Sequence, residues 1–145
     1  MSLSIRQVTQ KVSVAPQIAP EDVAAIKAAG FAAIVNNRPD GEEPGQPAGD
    51  AIRAAAENAG LAYTAIPVTH AGFSHPQLDA MAAALAAADG PVLAYCRSGT
   101  RSCNLWALAE AKAGAAPVEL AAASAAAGYD LGAVRPLLDA LAGQR

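Results

Sequence analysis

Cysteine is scarce, with two residues in 145. That is too few for a disulfide scaffold and too few for a cysteine-built zinc site. Aromatic residues supply only 4% of the chain and charged residues 16%. The formal net charge is -3 and the isoelectric point about 5.2, which argues against a general nucleic-acid-binding surface. Long hydrophobic runs are missing as well. The longest small-apolar stretch, Ala80 to Ala88, is far too short to cross a bilayer, and the start, Met1 to Gln7, has no apolar signal-peptide core. These absences predict a soluble, cytoplasmic protein with no membrane and no nucleic-acid partner. What is abundant is apolar: hydrophobic residues make up 53%, and alanine alone gives roughly a quarter of the chain. Such a composition excludes a disordered chain. It predicts a core of small side chains and helices, since alanine is the best helix former. The length fits one domain over residues 1–145.

Short β-branched runs alternate with alanine-rich stretches, the pattern of an α/β fold. Strands are predicted at Ile5–Val8, Val12–Ala15, Phe31–Asn36, Leu61–Val68 and Pro91–Tyr95. Helices are predicted from Pro20 to Gly30, over Ala48–Ala59 and Pro76–Ala88, then at Arg101–Ala113, Val118–Ala127 and Leu131–Ala142. In the Arg101–Ala113 helix, Leu105, Leu108, Ala109 and Lys112 fall at the spacing of one amphipathic packing face. Three successive β-α units imply right-handed crossovers and a mainly parallel sheet. Ligands of such sheets bind at the carboxyl ends of the strands. Cys96 and the Asn37–Asp40 loop both follow strands and can share that edge.

The segment richest in chemistry is Tyr95-Cys96-Arg97-Ser98-Gly99-Thr100-Arg101-Ser102. A cysteine at a strand end, followed by a short turn into a helix, points backbone N–H groups into an anion-binding concavity. Gly99 permits backbone conformations other residues resist. Arg97 and Arg101 add positive charge, and a guanidinium holds an oxyanion through two parallel hydrogen bonds. The same donors favour a thiolate at Cys96, with Ser102 or Thr100 available to donate a hydroxyl hydrogen bond. The bland alternative is a buried cysteine acting as a small hydrophobe; two arginines, a glycine and three hydroxyl residues around it weigh against that.

Tyr95 to Ser102 resembles the active loop of rhodanese-like sulfurtransferases, which read Cys-Arg-x-Gly-x-Arg or similar. The rest of the chain resembles the phosphatase-like domain of the beta-lactamase hydrolase-like family. That likeness rests on Val14-Ala15-Pro16-Gln17-Ile18, on the string Asn36-Asn37-Arg38-Pro39-Asp40-Gly41-Glu42-Glu43-Pro44-Gly45-Gln46-Pro47, and on Ala65-Ile66-Pro67-Val68-Thr69. The family looks like a distant relative of dual-specificity protein phosphatases. The resemblance implies a four- or five-stranded, mainly parallel sheet with helices on both faces.

Two departures bear on the reaction. Phosphatases of that kind place five residues between nucleophile and arginine; here four separate Cys96 from Arg101. The shorter loop suits a single sulfur atom better than a phosphoryl group, and rhodanese-like loops have this length. Beyond the Ile66-Pro67-Val68 strand, where such phosphatases carry an acidic proton donor, stands Thr69-His70-Ala71-Gly72. His70 is one substitute, since histidine is a competent acid near neutral pH; Asp40 is another.

Arg38 and Asp40 have two readings: a solvated turn closed by Asp40-Gly41, or a second pocket wall in which Arg38 binds anion and Asp40 orients Arg101 or serves as acid. Glu42 and Glu43 read as surface charge. His70 and His75 are the only histidines and form no metal-binding spacing, so no metal and no cofactor are expected. Cys103 reads as packing rather than as a resolving thiol, and Tyr129-Asp130 as a turn.

The leading expectation is a bacterial-type sulfurtransferase. Cys96 attacks an anionic sulfane-sulfur donor, thiosulfate or a persulfide, becomes a persulfide, and passes the sulfur to a thiol acceptor. Arg101 and the loop amides hold the anion; Arg97, Ser98, Gly99, Thr100, Ser102 and Arg38 line its site. The resemblance also suggests a metallo-β-lactamase-like, persulfide-processing partner. The alternatives are a phosphatase working through a phosphocysteine at Cys96, and a non-catalytic anion-binding or thiol redox-sensing domain.

Overall fold

The three inner strands are apolar on both faces, which is what a parallel sheet covered by helices on each side requires. The computed structural model describes residues 3–143; Met1 and Ser2 of the amino-terminal stretch lie outside them. Five strands, β1 (Arg6–Gln7), β2 (Val12–Ala15), β3 (Ala33–Asn36), β4 (Ala62–Ala65) and β5 (Val92–Tyr95), form one sheet among the described residues, in the order β1-β2-β5-β3-β4. Only β1 runs antiparallel, at the edge beside β2. The pairs β2–β5, β3–β5 and β3–β4 are parallel, with Val14 and Val35 both level with Ala94.

Six helices accompany the sheet among the described residues: α1 (Val23–Ala28), α2 (Gly49–Asn58), α3 (His75–Ala87), α4 (Thr100–Ala113), α5 (Pro117–Ala126) and α6 (Arg135–Gly143). Alternation along the strands sends Ile34, Leu93 and Tyr95 to one face, where they meet Val23 and Ile26 of α1 and Ile52 and Ala56 of α2. Val12, Val14, Val35, Val92 and Ala94 point to the other face, against α3, α4 and α6. Side chains of Val, Leu and Ile buried this way each contribute about 1.5–3 kcal/mol.

Several elements differ from expectation. The Ile5–Val8 run pairs only at Arg6–Gln7. Beyond β4, Ile66 and Val68 stay extended, their N–H groups donating to the Asn36 and Asn37 carbonyls at 2.9 Å each. The last helix opens with a 3-10 turn, Gly132–Val134, before Arg135. Helix α4 lacks the single packing face its spacing suggested: every residue from Ser102 to Ala109 is buried, because α3, α5, α6 and the sheet enclose it. Lys112 leaves that enclosure and pairs with Asp79 at 2.8 Å. No helix among the described residues is long and apolar enough to cross a membrane.

Candidate active site

Parallel strands deliver their following loops to one edge, and those loops are stitched together there. The Cys96 N–H donates to the Ala15 carbonyl at 3.3 Å, the Asn37 N–H to Tyr95 at 2.8 Å, and the Gln17 N–H to Arg97 at 3.3 Å. The segments after β2, β3 and β5 therefore share one rim.

Cys96 is fully buried at the end of β5. The Gly99 N–H donates to its Sγ at 3.1 Å. Gly99 precedes the first residue of α4 with φ at +93°, a left-handed backbone that side chains resist. A Cβ there would also overlap the Tyr129 hydroxyl, which donates to the Ser98 carbonyl at 3.2 Å. Tyr129 thus braces the loop, and burial pushes its own phenol up. Ser98 Oγ donates to Thr100 Oγ1 at 3.0 Å and receives the Thr100 N–H at 3.5 Å. Among the described residues, the N–H groups of Arg97, Ser98, Arg101 and Ser102 have no acceptor, and the buried Ser102 hydroxyl has no partner. These free donors, at the positive end of a long helix, form an anion cradle beside the sulfur.

Arg101 stands in the first turn of α4. Its Nη1 donates to Glu42 Oε2 and to the Val68 carbonyl, both at 2.7 Å, and its Nη2 donates to Glu42 Oε1 at 2.8 Å. That uses both Nη1 hydrogens and one on Nη2. The Nε–H and the second Nη2 hydrogen share the opposite edge of the guanidinium and stay available to an oxyanion. The Glu42 hydrogen bonds raise Arg101 above the usual arginine range against the opposing effect of burial.

Glu42 also accepts from Arg38 Nε at 2.8 Å. Held first by Arg101 and then by Arg38, against its own desolvation, its carboxyl is drawn down to about 2. The expectation of Glu42 as surface charge is therefore corrected. It joins the cysteine loop to the segment after β3, 59 positions away. Glu43 is partly exposed and bonds Arg38 Nη2 at 3.0 Å.

The other predicted site residues divide. Arg38 is 3% exposed and spends its three nitrogens on Glu42, Glu43 and Gln17. Burial works to lower its guanidinium, and those carboxylates outweigh it and hold it raised. It shapes the wall through Glu42, and these bonds leave one hydrogen on each of its two terminal nitrogens. Asp40 faces elsewhere: its Oδ1 accepts the Gly49 N–H at 2.8 Å, at the start of α2, in a separate cavity of about 130 Å³ with Arg53 and Tyr63. His70 is exposed in the turn that follows Val68, two positions beyond the carbonyl that accepts from Arg101. Arg97 is 66% exposed and stands 3.7 Å from Glu43, at the mouth of an open groove of about 460 Å³ with Pro16, Gln17 and Gln46. Cys103 is buried and its thiol donates to Ser124 Oγ at 3.3 Å; burial raises it. Among the described residues no cluster of three or more His, Cys, Asp or Glu side chains is suited to a metal ion.

Glu42 and Tyr129 are the residues that sequence reasoning missed. The one available signal for Glu42 was its place in the long Asn36–Pro47 string; Tyr129 had none.

Residues 4–115 match the family described as beta-lactamase hydrolase-like protein, phosphatase-like domain. The beta-lactamase hydrolase-like protein of Xylella fastidiosa is 37% identical over 131 residues, covering 90% of this chain and 30% of that protein. The chain thus spans about three-tenths of the length of the curated relatives it matches. A crystal structure from Neisseria meningitidis, described as a candidate phosphatase, superposes with a TM-score of 0.83 at 33% identity, covering 94% of this chain and 97% of that one. P. aeruginosa TpbA in complex with phosphotyrosine shares the fold at 17% identity and a TM-score of 0.58, covering 93% of this chain and 90% of its own.

Proposed function

The chain belongs to the family of beta-lactamase hydrolase-like, phosphatase-like domains, and from that premise we propose that it is a cysteine-dependent phosphatase. The observation that carries this reading is the cradle itself: a buried sulfur, free loop N–H groups and an open guanidinium edge converging at the start of α4. A phosphoryl group presents three oxygens to those donors, and fixed donors of this kind stabilise the charge that develops in transfer. Cys96 Sγ attacks phosphorus; the S–P bond forms as the bond to the leaving oxygen breaks. His70, in the turn after Val68, gives the leaving oxygen its proton. Water then attacks the phosphocysteine, releasing inorganic phosphate and restoring Cys96. The relatives' description as phosphatase-like, and a neighbour of the same fold bound to phosphotyrosine, support phosphoesters over the sulfur donors that the loop alone suggested.

One observation keeps sulfur transfer as a second reading: only four residues lie between Cys96 and Arg101. In that chemistry Cys96 takes the outer sulfur of thiosulfate or a persulfide, sulfite or a thiolate leaves, and an acceptor thiol removes the sulfur from the Cys96 persulfide. A metallo-β-lactamase-like partner consuming persulfides belongs to this second reading.

Intact-mass measurement separates the two. Wild type incubated with phosphotyrosine or an aryl phosphate, then acid-quenched, should gain one phosphoryl group on Cys96 and release phosphate on turnover. Gain of one sulfur atom from thiosulfate, reversed by dithiothreitol, with no phosphate release, would transfer the assignment to sulfur. Neither adduct on a freely alkylatable Cys96 would leave anion binding or thiol sensing.

A further inference from the structure

A polar cavity of about 240 Å³, which shares Pro16 with the Arg97 groove, is lined by Ser4, Arg6, Ser98, Gly128 and Tyr129. No acidic residue lines it, and Arg6, on the edge strand β1, makes no ion pair among the described residues. The guanidinium lies over Gly128, where a Cβ would stand 3.3 Å from Arg6 Nη1. A larger residue at that position would push the cation away. Ser98 belongs to the nucleophile loop, two positions after Cys96. The Tyr129 hydroxyl, which lines the same cavity, donates to the Ser98 carbonyl at 3.2 Å. The cavity is therefore a neighbour of the reacting centre with its own unspent positive charge.

Size and charge narrow the occupant. Sites for whole drug-sized ligands run from about 300 to 1,000 Å³, so this cavity suits one substituent of a larger molecule. A single guanidinium balances the single charge of a carboxylate and matches its planar fork; a second phosphate, at about -1.5 to -2, would stay under-neutralised. We propose that this cavity is a second anion subsite, in which Arg6 holds a carboxylate borne by the substrate while its reacting group lies over Cys96. The subsite rests on the phosphatase reading for the identity of that reacting group. It makes the preferred substrate a phosphorylated carboxylic acid rather than a bare alkyl or aryl phosphate.

The test compares 2-phosphoglycolate with methyl phosphate, binding to Cys96→Ser protein by calorimetry. The carboxylated ester should bind about fivefold tighter, the effect of one part-exposed ion pair. Arg6→Gln should bring that ratio close to one, whereas Arg53→Gln, an arginine on α2, should leave it standing. Equal affinities, or an advantage that survives Arg6→Gln, would overturn the subsite. If neither ester binds, the phosphoryl reading falls, and the subsite is judged on wild type by alkylation of Cys96 with iodoacetamide. Slowing by succinate that Arg6→Gln abolishes upholds it; no slowing, or slowing that persists in Arg6→Gln, overturns it.

Discussion

Glu42 grips Arg101 end-on, with its two carboxylate oxygens 2.7 and 2.8 Å from the two terminal nitrogens. An anion-binding arginine is thus fixed by a carboxylate that itself bears a negative charge. Geometry resolves the apparent contradiction: the grip takes one edge and exposes the other. A guanidinium with five hydrogens can serve both.

Glu42→Gln should break this alignment and leave the buried Arg38 short of a counter-charge. We expect kcat/KM to fall by about ten- to a hundredfold, the scale of a misaligned catalytic group. Stability should drop by about 1–3 kcal/mol in urea unfolding, as for a buried group that loses its partner. An unchanged kcat/KM would remove Glu42 from the machinery.

Acid should erase the stability difference. The folded Glu42 carboxyl sits at about 2, below its ordinary 4.5, chiefly because of Arg101. A depressed carboxyl contributes stability above its unfolded value and loses it as pH falls toward the folded one. The gap between wild type and Glu42→Gln should be full above about pH 5 and shrink between 4.5 and about 2. A gap that widens on acidification would contradict the pairing.

Gly99→Ala meets two obstacles, a backbone at +93° and the Tyr129 hydroxyl. The strain alone costs about 1–3 kcal/mol, and the loop must shift as well, so activity should be lost. Adding Tyr129→Leu should recover part of the stability by removing the overlap while the strain remains. Thermal unfolding of the two variants reports the split.

His70 and Asp40 should separate by leaving group. With His70→Gln, an alkyl phosphate, whose leaving oxygen needs a proton, should slow about a hundredfold or more, and an activated aryl phosphate far less. Asp40→Asn should treat both substrates alike and cost about 0.5–1 kcal/mol of stability at the start of α2. A leaving-group bias in Asp40→Asn would reverse the assignment.

Much of the fold was readable because its signals are local. β-Branched runs marked β2, β3 and β5, and helices α1 and α2 stop just short of Gly30 and Gly60 as expected. Cys96 could be placed because its loop follows β5 without interruption. Glu42 could not, because it looks like solvated charge until the sheet brings Arg101 and Arg38 to it. Asp40 and Gly41 do stand in a turn, one of the two readings of Asp-Gly, but the reach of the carboxylate to Gly49 is a contact that local sequence does not show. Helix α4 misled because the spacing of Leu105, Leu108 and Ala109 suggested one buried face, whereas three helices and the sheet close over it from all sides.

Those enclosing helices carry a consequence for how the protein can be cut. The family match stops at residue 115, yet Leu120 of α5 and Leu138 and Leu141 of α6 belong to the core around α4. Tyr129, which braces the loop at Ser98 and Gly99, lies past that boundary too. A fragment trimmed there would retain the whole nucleophile loop and lose the surface that holds it. Its apolar flank would stand open to water, and self-association would be the expected fate. The family match is shorter than the segment that sustains the site, and the likeness to the Xylella relative, over 131 residues, runs past it.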